Sequence, residues 1–309
     1  MKRILAALVL LTTASANAEI TPQIEQQINA LVDRWNDYKI NREQIAPESL
    51  YADSVDFYGT TLTLSDVAKQ NAEFAKKNDG FRQTIVSGVT LEEPDDDQPG
   101  LKVTFVKQAG LSGGEDRNYP TELKVIPVKN GWRIVAETDW ITLKNQGKGD
   151  GLVAQGKFDG AHKGYAWVTA HDPRTGGTCH EEADVMCQCQ LWHSDPDIQP
   201  VNIPQCIGAG VGTLSGLDGS QRDRVLLYPD WWTSGWRVSY LYDIQQGLWI
   251  MAIPSFQTQV DVLESLGDQP LISPIPQKPG FVRVISAEFN EEEGGGKAKE
   301  LIVPLRKLE

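Results

Sequence analysis

The sequence predicts an α+β unit, with helices held by an antiparallel sheet, followed by an all-β sandwich. Three observations carry this. Between Phe81 and Thr142 four strand-like runs follow in succession: GFRQTIVSGVTLEE, LKVTFVKQ, YPTELKVIPVKN and GWRIVAETDWIT. Helical or part-helical stretches precede them. Beyond a glycine-dense stretch lie six more strand candidates with little helix signal.

The strands are read from period-2 alternation. LKVTFVK places Leu101, Val103 and Phe105 on one face and Lys102 and Thr104 on the other. GWRIVAETDWIT places Trp132, Ile134, Ala136 and Trp140 on one side, with Arg133, Glu137 and Asp139 opposite. One buried and one wetter face is the pattern of an antiparallel sheet.

Taken in order, the chain opens with MKRILAALVLLTTASANA, a charged start, an apolar run and a small-x-small site at Ala16–Ala18. This reads as a secretory signal peptide over 1–18, its apolar core well short of the ~20 residues a membrane span needs. Cleavage there would leave 291 of 309 residues; it removes Lys2 and Arg3 and no acid, taking the formal charge from −13 to −15. The expectation is an exported, periplasmic, Gram-negative-like protein with no membrane insertion. The acidic balance speaks against nucleic acid, whose affinity comes mainly from Lys and Arg on phosphates, and suits a cationic protein of the cell envelope.

From Ile20, apolar residues at Ile24, Ile28, Leu31, Val32 and Trp35 keep helical spacing behind a Thr21-Pro22 start. A second short helix is expected from Asn41 through SLYADS, then a short strand in VDFYGTTLTL. Ser65 reads as the N-cap of a helix whose stripe is Val67, Ala68, Ala72 and Phe74, stopped at Asn78-Asp79-Gly80. The four strands follow. Residues 147–161 carry enough glycine to read as a linker between units at 19–146 and 162–309. In the second unit GYAWVTAHD, RVLLYPDWW, GWRVSYLYD, LWIMAIPS, FVRVISAEF and KELIVPLR are the strand candidates, and FQTQVDVLESLG fits strand or helix equally. An Ig-like sandwich shape is expected.

All four cysteines, Cys179, Cys187, Cys189 and Cys206, fall in one short region of an exported chain, which reads as two disulfides. A Cys187–Cys189 bond would close a very tight ring, so each should pair outward, with its partner left open between Cys179 and Cys206. The same stretch offers Cys179, His180, Cys187, Cys189 and His193 as metal ligands, but without the usual C-x2-4-C or H-x3-5-H spacing. Disulfides are expected, with no metal and no cofactor.

The first unit resembles a family. A long first helix, YADSVDFYGTTLTLSDVAKQNAEF, the strands with FVKQ and YPTELKV, and the closing NGWRIVAETDWIT are similar to the nuclear transport factor 2-like (ketosteroid isomerase-like, cystatin-like) superfamily over about residues 20–143. The resemblance implies a curved sheet wrapped round a few helices into a cone. It implies no one function, because the superfamily includes enzymes, binding modules and chaperone-like modules, and no catalytic motif matches.

Candidate sites follow. Glu137 and Asp139, with Glu122 expected on the matching face of the neighbouring strand, are carboxylates suited to acid/base work if burial splits their pKa values. Against this, Lys102, Lys124 and Arg133 are expected on the same face as ion-pair partners. No histidine precedes His162, so the first unit cannot supply a His–Asp pair. Trp35 and Tyr58 are candidate pocket residues or core. In the aromatic stretch Trp236, Val238, Tyr240 and Tyr242 read as buried, while Trp231 and Trp232, adjacent on a strand, should point to opposite faces, leaving one to bind glycan or protein. G-x-S-x-G, P-loop, H-E-x-x-H and strand-to-helix G-x-G-x-x-G motifs are absent. The expected function is a non-enzymatic binding or inhibitory module for a protein partner. The alternatives are a ligand-binding protein or enzyme using the cone pocket, and a glycan binder through an exposed Trp.

Overall fold

The computed structural model describes residues 20–41, 44–93, 99–149, 151–180, 186–232, 234–267, 269–292 and 294–307. The expected leader lies outside them. The protein is mixed α/β, strand-rich, with four α-helices and several sheets among the described residues.

Helix α1 (Pro22–Ile40) starts where Thr21 Oγ1 accepts a hydrogen bond from the Ile24 amide, 3.3 Å. Its buried stripe is Ile28, Leu31, Val32, Trp35, Tyr38 and also Lys39. The second helix expected through residues 49–54 is absent. After a single 3-10 turn at Pro47–Ser49, Tyr51 and Val55 bury one side of strand β1 (Tyr51–Phe57). The β-branched and aromatic residues prevail because β1 finds a parallel partner in the last strand of the same sheet. Tyr58 and Gly59, with φ of +53° and +83°, make the two-residue turn into β2 (Thr60–Thr63); positive φ at both positions matches the twist of a hairpin.

Thr63, not Ser65, caps α2 (Leu64–Lys77), its hydroxyl accepting from the Asp66 amide at 3.2 Å. GFRQTIVSGVTLEE divides into β3 (Arg82–Ile85) and β4 (Thr90–Glu92); β5 (Leu101–Gly110), β6 (Arg117–Val128), β7 (Gly131–Asp139) and α3 (Trp140–Asn145) follow. The sheet runs β2-β1-β7-β6-β5-β3, with β4 also on β5. Its inner face and α1 share one core, in which Trp35 meets Phe105 edge-on at 5.5 Å.

One irregularity sets up the site. β6 and β7 pair Val125 with Ile134 but Lys124 with Ala136, so Val135 is an extra residue on β7. Such a bulge reverses which side chains face inward. Trp132 and Ile134 therefore point to the core as the alternation predicts, but beyond Val135 the phase changes and Glu137 and Asp139 are buried too. Placing both acids on a wetter face is thus overturned.

The expected linker 147–161 is in part strand: β8 (Val153–Gly156) pairs with β9 (Gly164–His171). Then come β10 (Gln188–His193), β11 (Val201–Pro204), β12 (Gly208–Leu214), β13 (Arg224–Asp230), β14 (Trp236–Gln245), β15 (Leu248–Met251), β16 (Phe256–Gln259), α4 (Val260–Leu266), β17 (Ile272–Pro274), β18 (Phe281–Asn290) and β19 (Gly295–Pro304). FQTQVDVLESLG is strand first and helix second. Sheets β11-β10-β9-β8, β12-β13-β14-β15 and β17-β18-β19 replace the expected two. The middle one is apolar on both faces: Val225, Leu227 and Tyr242 join the core with β8–β11, while Leu226 and Leu241 join the core with β17, β18 and α4. A sheet covered on both sides needs a third layer.

Disulfides join Cys179 to Cys187 and Cys189 to Cys206, the second inside the core beneath β10. They fit an oxidising compartment. The outer face of β5 meets the first C-terminal sheet through Val106, Ile141, Val153, Trp167 and Trp192. Asn118 ties the contact, its amide on the Ser194 carbonyl at 2.9 Å and its side chain on the His193 carbonyl at 3.1 Å.

His193 is buried against Phe158 and Trp249, with Gly164 so close that an added Cβ would lie 2.3 Å from Nε2. Burial pushes its imidazole down to about 4, outweighing the nearby Asp195 and Asp159. The unfolded chain, titrating near 6.5, therefore binds the proton first. Stability should fall from about pH 6.5 to pH 4, by on the order of 3 kcal/mol. His193→Gln should flatten that slope in urea unfolding across the range, and an unchanged slope would count against the assignment.

Candidate functional site

Between α2 and the inner face of the first sheet lies a cavity of about 690 Å³. Helix α1 reaches it with Lys39, the β1–β2 turn with Tyr58, β5 with Lys107 and Ala109, β6 with Tyr119, and β7 with Glu137 and Asp139. Helix α2 contributes Asn71 and Phe74, and Phe81 follows it. That volume falls in the range of small-molecule sites.

Glu137 is 1 % exposed and fully engaged. Its Oε2 accepts from Tyr51 Oη at 2.6 Å and from Trp35 Nε1 at 2.8 Å, and Lys39 Nζ lies 2.7 Å from Oε1. Lys39, 8 % exposed, also donates to Asn71 Oδ1 at 2.9 Å and lies over the rings of Phe57, Trp35 and Tyr51 at 5.0, 5.4 and 5.9 Å. Asn71 in turn donates to the Val67 carbonyl, 3.0 Å, which fixes its amide toward the lysine. A buried charge is tolerable when paired and hydrogen-bonded, and this one has both.

Burial pushes the Glu137 carboxyl up, but the charges of Lys39 and Lys107 with the hydrogen bonds from Lys39 and Tyr51 outweigh it, and the group stays below the usual carboxylate range. Burial, with Glu137 beside it, holds the Tyr51 hydroxyl well above its ordinary value. Burial does the same for Tyr58, helped by Glu137 and Asp139. Both tyrosines are therefore neutral donors at neutral pH.

Asp139 caps α3: Oδ1 accepts from the Thr142 amide at 2.7 Å and Oδ2 from its hydroxyl at 2.9 Å. Glu122 does not join the other two acids. It sits opposite Thr138, one residue out of phase with Glu137, and accepts from Trp140 Nε1 on the outer face at 2.9 Å. The expected cross-strand partners are replaced as well, because the cation on Glu137 comes from helix α1; Lys102 instead pairs with Glu92. Trp35 is core, holding Glu137 from behind, whereas Tyr58 lines the cavity.

Trp231 and Trp232 are not on a strand. β13 ends at Asp230, and the pair sits in the following turn, half-buried, rings 5.9 Å apart, Trp232 at φ +30°. The opposite-face argument does not apply to them. Val238, expected in the core, is instead 40 % exposed. Disulfides occupy all four cysteines, and no group of three or more His, Cys, Asp or Glu able to hold a metal occurs among the described residues.

Lys39, Asn71, Lys107 and Tyr119 were not singled out from the sequence. Two of them carried a signal. Lys39 continues the apolar helical spacing 28, 32, 35, and Lys107 continues the strand alternation 101, 103, 105. A lysine on an apolar face is the mark of a buried ion pair or a pocket.

No protein-family model and no curated protein matches the chain. Among solved structures, a crystallised protein from Kribbella flavida aligns at 15% identity over 38% of this chain and 89% of its own, TM-score 0.30. A domain of unknown function with a cystatin-like fold from Nostoc punctiforme aligns at 19% identity over 39% of this chain and 78% of its own, TM-score 0.31. The neighbours thus include a cystatin-like fold over part of the chain. No helix of the described residues is long and apolar enough to cross a membrane.

Because the folded Glu137 titrates below its ordinary value, its contribution is complete above about pH 4.5 and lost as pH falls through the folded value. Glu137→Gln leaves Lys39 buried without its counter-charge and should cost about 3–5 kcal/mol at pH 7. The variant should also lose stability less steeply below pH 4.5. Urea unfolding at pH 7 and pH 4 measures both; a cost under about 1 kcal/mol at pH 7 would mean the pair is dispensable.

Proposed function

We propose that this is an exported, periplasmic, non-enzymatic binding protein, with a small molecule as ligand in the cavity of a cone-shaped first unit. The observation carrying the reading is the cavity itself, of about 690 Å³, in which aromatic and apolar side chains such as Phe57, Phe74, Phe81 and Leu111 alternate with polar and charged ones. Export is supported by the leader-like start and the two disulfides.

The two buried acids of the cavity favour binding over catalysis. A general base works best with a pKa near the working pH and a lone pair free for the substrate. Glu137 is held below the usual carboxylate range with both oxygens in use, and Asp139 spends both of its own on Thr142. Their role is to fix α1, α3 and β7 around the space. The expectation of a cationic protein partner rests on net charge alone, whereas the ligand reading rests on a built cavity, and we prefer it for that reason.

The test is thermal unfolding of the mature protein against a set of small aromatic and alicyclic compounds. A ligand at a hundred times its Kd stabilises by about 2.7 kcal/mol, a readable rise in Tm. Ala109 lies on the cavity wall, and Ala109→Phe puts a ring into that space. Compounds that raise the Tm of the wild type should not raise that of the variant. Equal shifts in both proteins, or no shift with any compound, would reject the cavity as the binding site.

A further inference from the structure

Lys107 is the cavity group whose needs the protein itself does not meet. It is 8 % exposed, on the inner face of β5 directly after Phe105. Among the described residues its ammonium has one long hydrogen bond, to Tyr58 Oη at 3.4 Å, and lies over the rings of Trp35 and Tyr119 at 5.4 and 5.9 Å. No carboxylate forms an ion pair with it there. An ammonium carries three donors, and a buried charge left short of partners is costly.

The neighbouring acids spend their hydrogen bonds elsewhere, although the charge of Glu137 still acts on Lys107 at longer range. Glu137 is taken by Lys39, Tyr51 and Trp35, and Asp139 by the start of α3. Tyr58 accepts from Lys107, so its own proton is available to a ligand atom at the same spot. Farther out the lining offers rings beside polar groups: Phe74 and Leu111 are 43 % and 41 % exposed, Phe74 packs edge-on against Phe81 at 5.1 Å, and the exposed Gln70, Glu73 and Lys77 lie among them. The depth is therefore charged and hydrogen-bonding, with Lys39 and Lys107 beside Glu137 and Asp139, and the outer part presents aromatic rings among polar side chains.

We propose that the cavity takes a small organic carboxylate with an aromatic or alicyclic body, its carboxylate on the Lys107 ammonium and Tyr58 hydroxyl and its body against Phe74 and Phe81. This rests on the reading of the cavity as the ligand site. A neutral carbonyl would supply a hydrogen-bond acceptor, but the carboxylate also sets a negative charge in direct contact with the ammonium, which Glu137 reaches only at longer range.

Calorimetric titration of the mature protein with naphthalene-2-carboxylate and naphthalene-2-carboxamide at pH 7 tests it, because the two probes share a body and differ in head group. The carboxylate should bind roughly 10- to 100-fold tighter, as expected for hydrogen bonds to a charged group. Lys107→Met should abolish the preference while leaving the carboxamide within about twofold, and Tyr58→Phe should weaken the carboxylate by about fivefold. The wild-type ratio and Tyr58→Phe decide the matter even if the lysine variant does not fold. Equal affinity for the probes, or a preference that survives Lys107→Met, overturns the carboxylate assignment and leaves the cavity reading standing. Binding of neither probe overturns the assignment, and the Ala109→Phe comparison then judges the cavity separately.

Discussion

The contact between Lys39 and Glu137 is the constraint on which the first unit depends. It joins the last turn of α1 to β7 across the core, and both ends are almost without solvent. Two charges in such a place are stable only with further hydrogen bonds. Tyr51 on β1, Trp35 on α1 and Asn71 on α2 provide them. Five side chains from four elements therefore have to agree on one geometry, which fixes the position of α2 and with it the width of the cavity.

The Val135 bulge makes this contact possible. A regular ladder would carry the inward phase of Trp132 and Ile134 on to Ala136 and Thr138 and turn Glu137 outward. One additional residue re-aims the end of β7 so that the strand is apolar at its start and acidic at its end, on the same face. The apolar half completes the core with Leu123 and Val125, and the acidic half organises the polar end of the cavity. The same short strand thus serves packing and site together.

The outer face of the same sheet is also covered. Val106 and Thr104 lie behind Phe105 and Lys107 on β5, and Val106 packs with Trp167 and Trp192 of the C-terminal sheets. A strand buried on both faces moves little, so Lys107 stands on a stiff support. The C-terminal layers, with the Cys189–Cys206 bond in their core, therefore bear on the cavity through the back of β5.

Much of the fold was legible because it rests on local patterns. The helical spacing from Ile24 to Trp35 and the alternation of Leu101, Val103 and Phe105 gave helix and strand where they stand. Outward pairing of Cys187 and Cys189 followed from chain geometry alone, and the spacing did not choose their partners. What the sequence did not show was each feature created by pairing between distant segments. The start of strand β1 at Tyr51, in place of the helix expected through Ser54, depends on β1 meeting β7 across about 80 residues of chain. The third C-terminal sheet depends on a middle sheet apolar on both sides. The separation of Glu122 from Glu137 and Asp139 depends on the single bulge, which period-2 counting cannot detect because it assumes an unbroken ladder. By itself the sequence determined the elements, an acidic chain and a disulfide pair of pairs; only the tertiary structure decided which charges are buried together, because burial is set by partners far away in the chain.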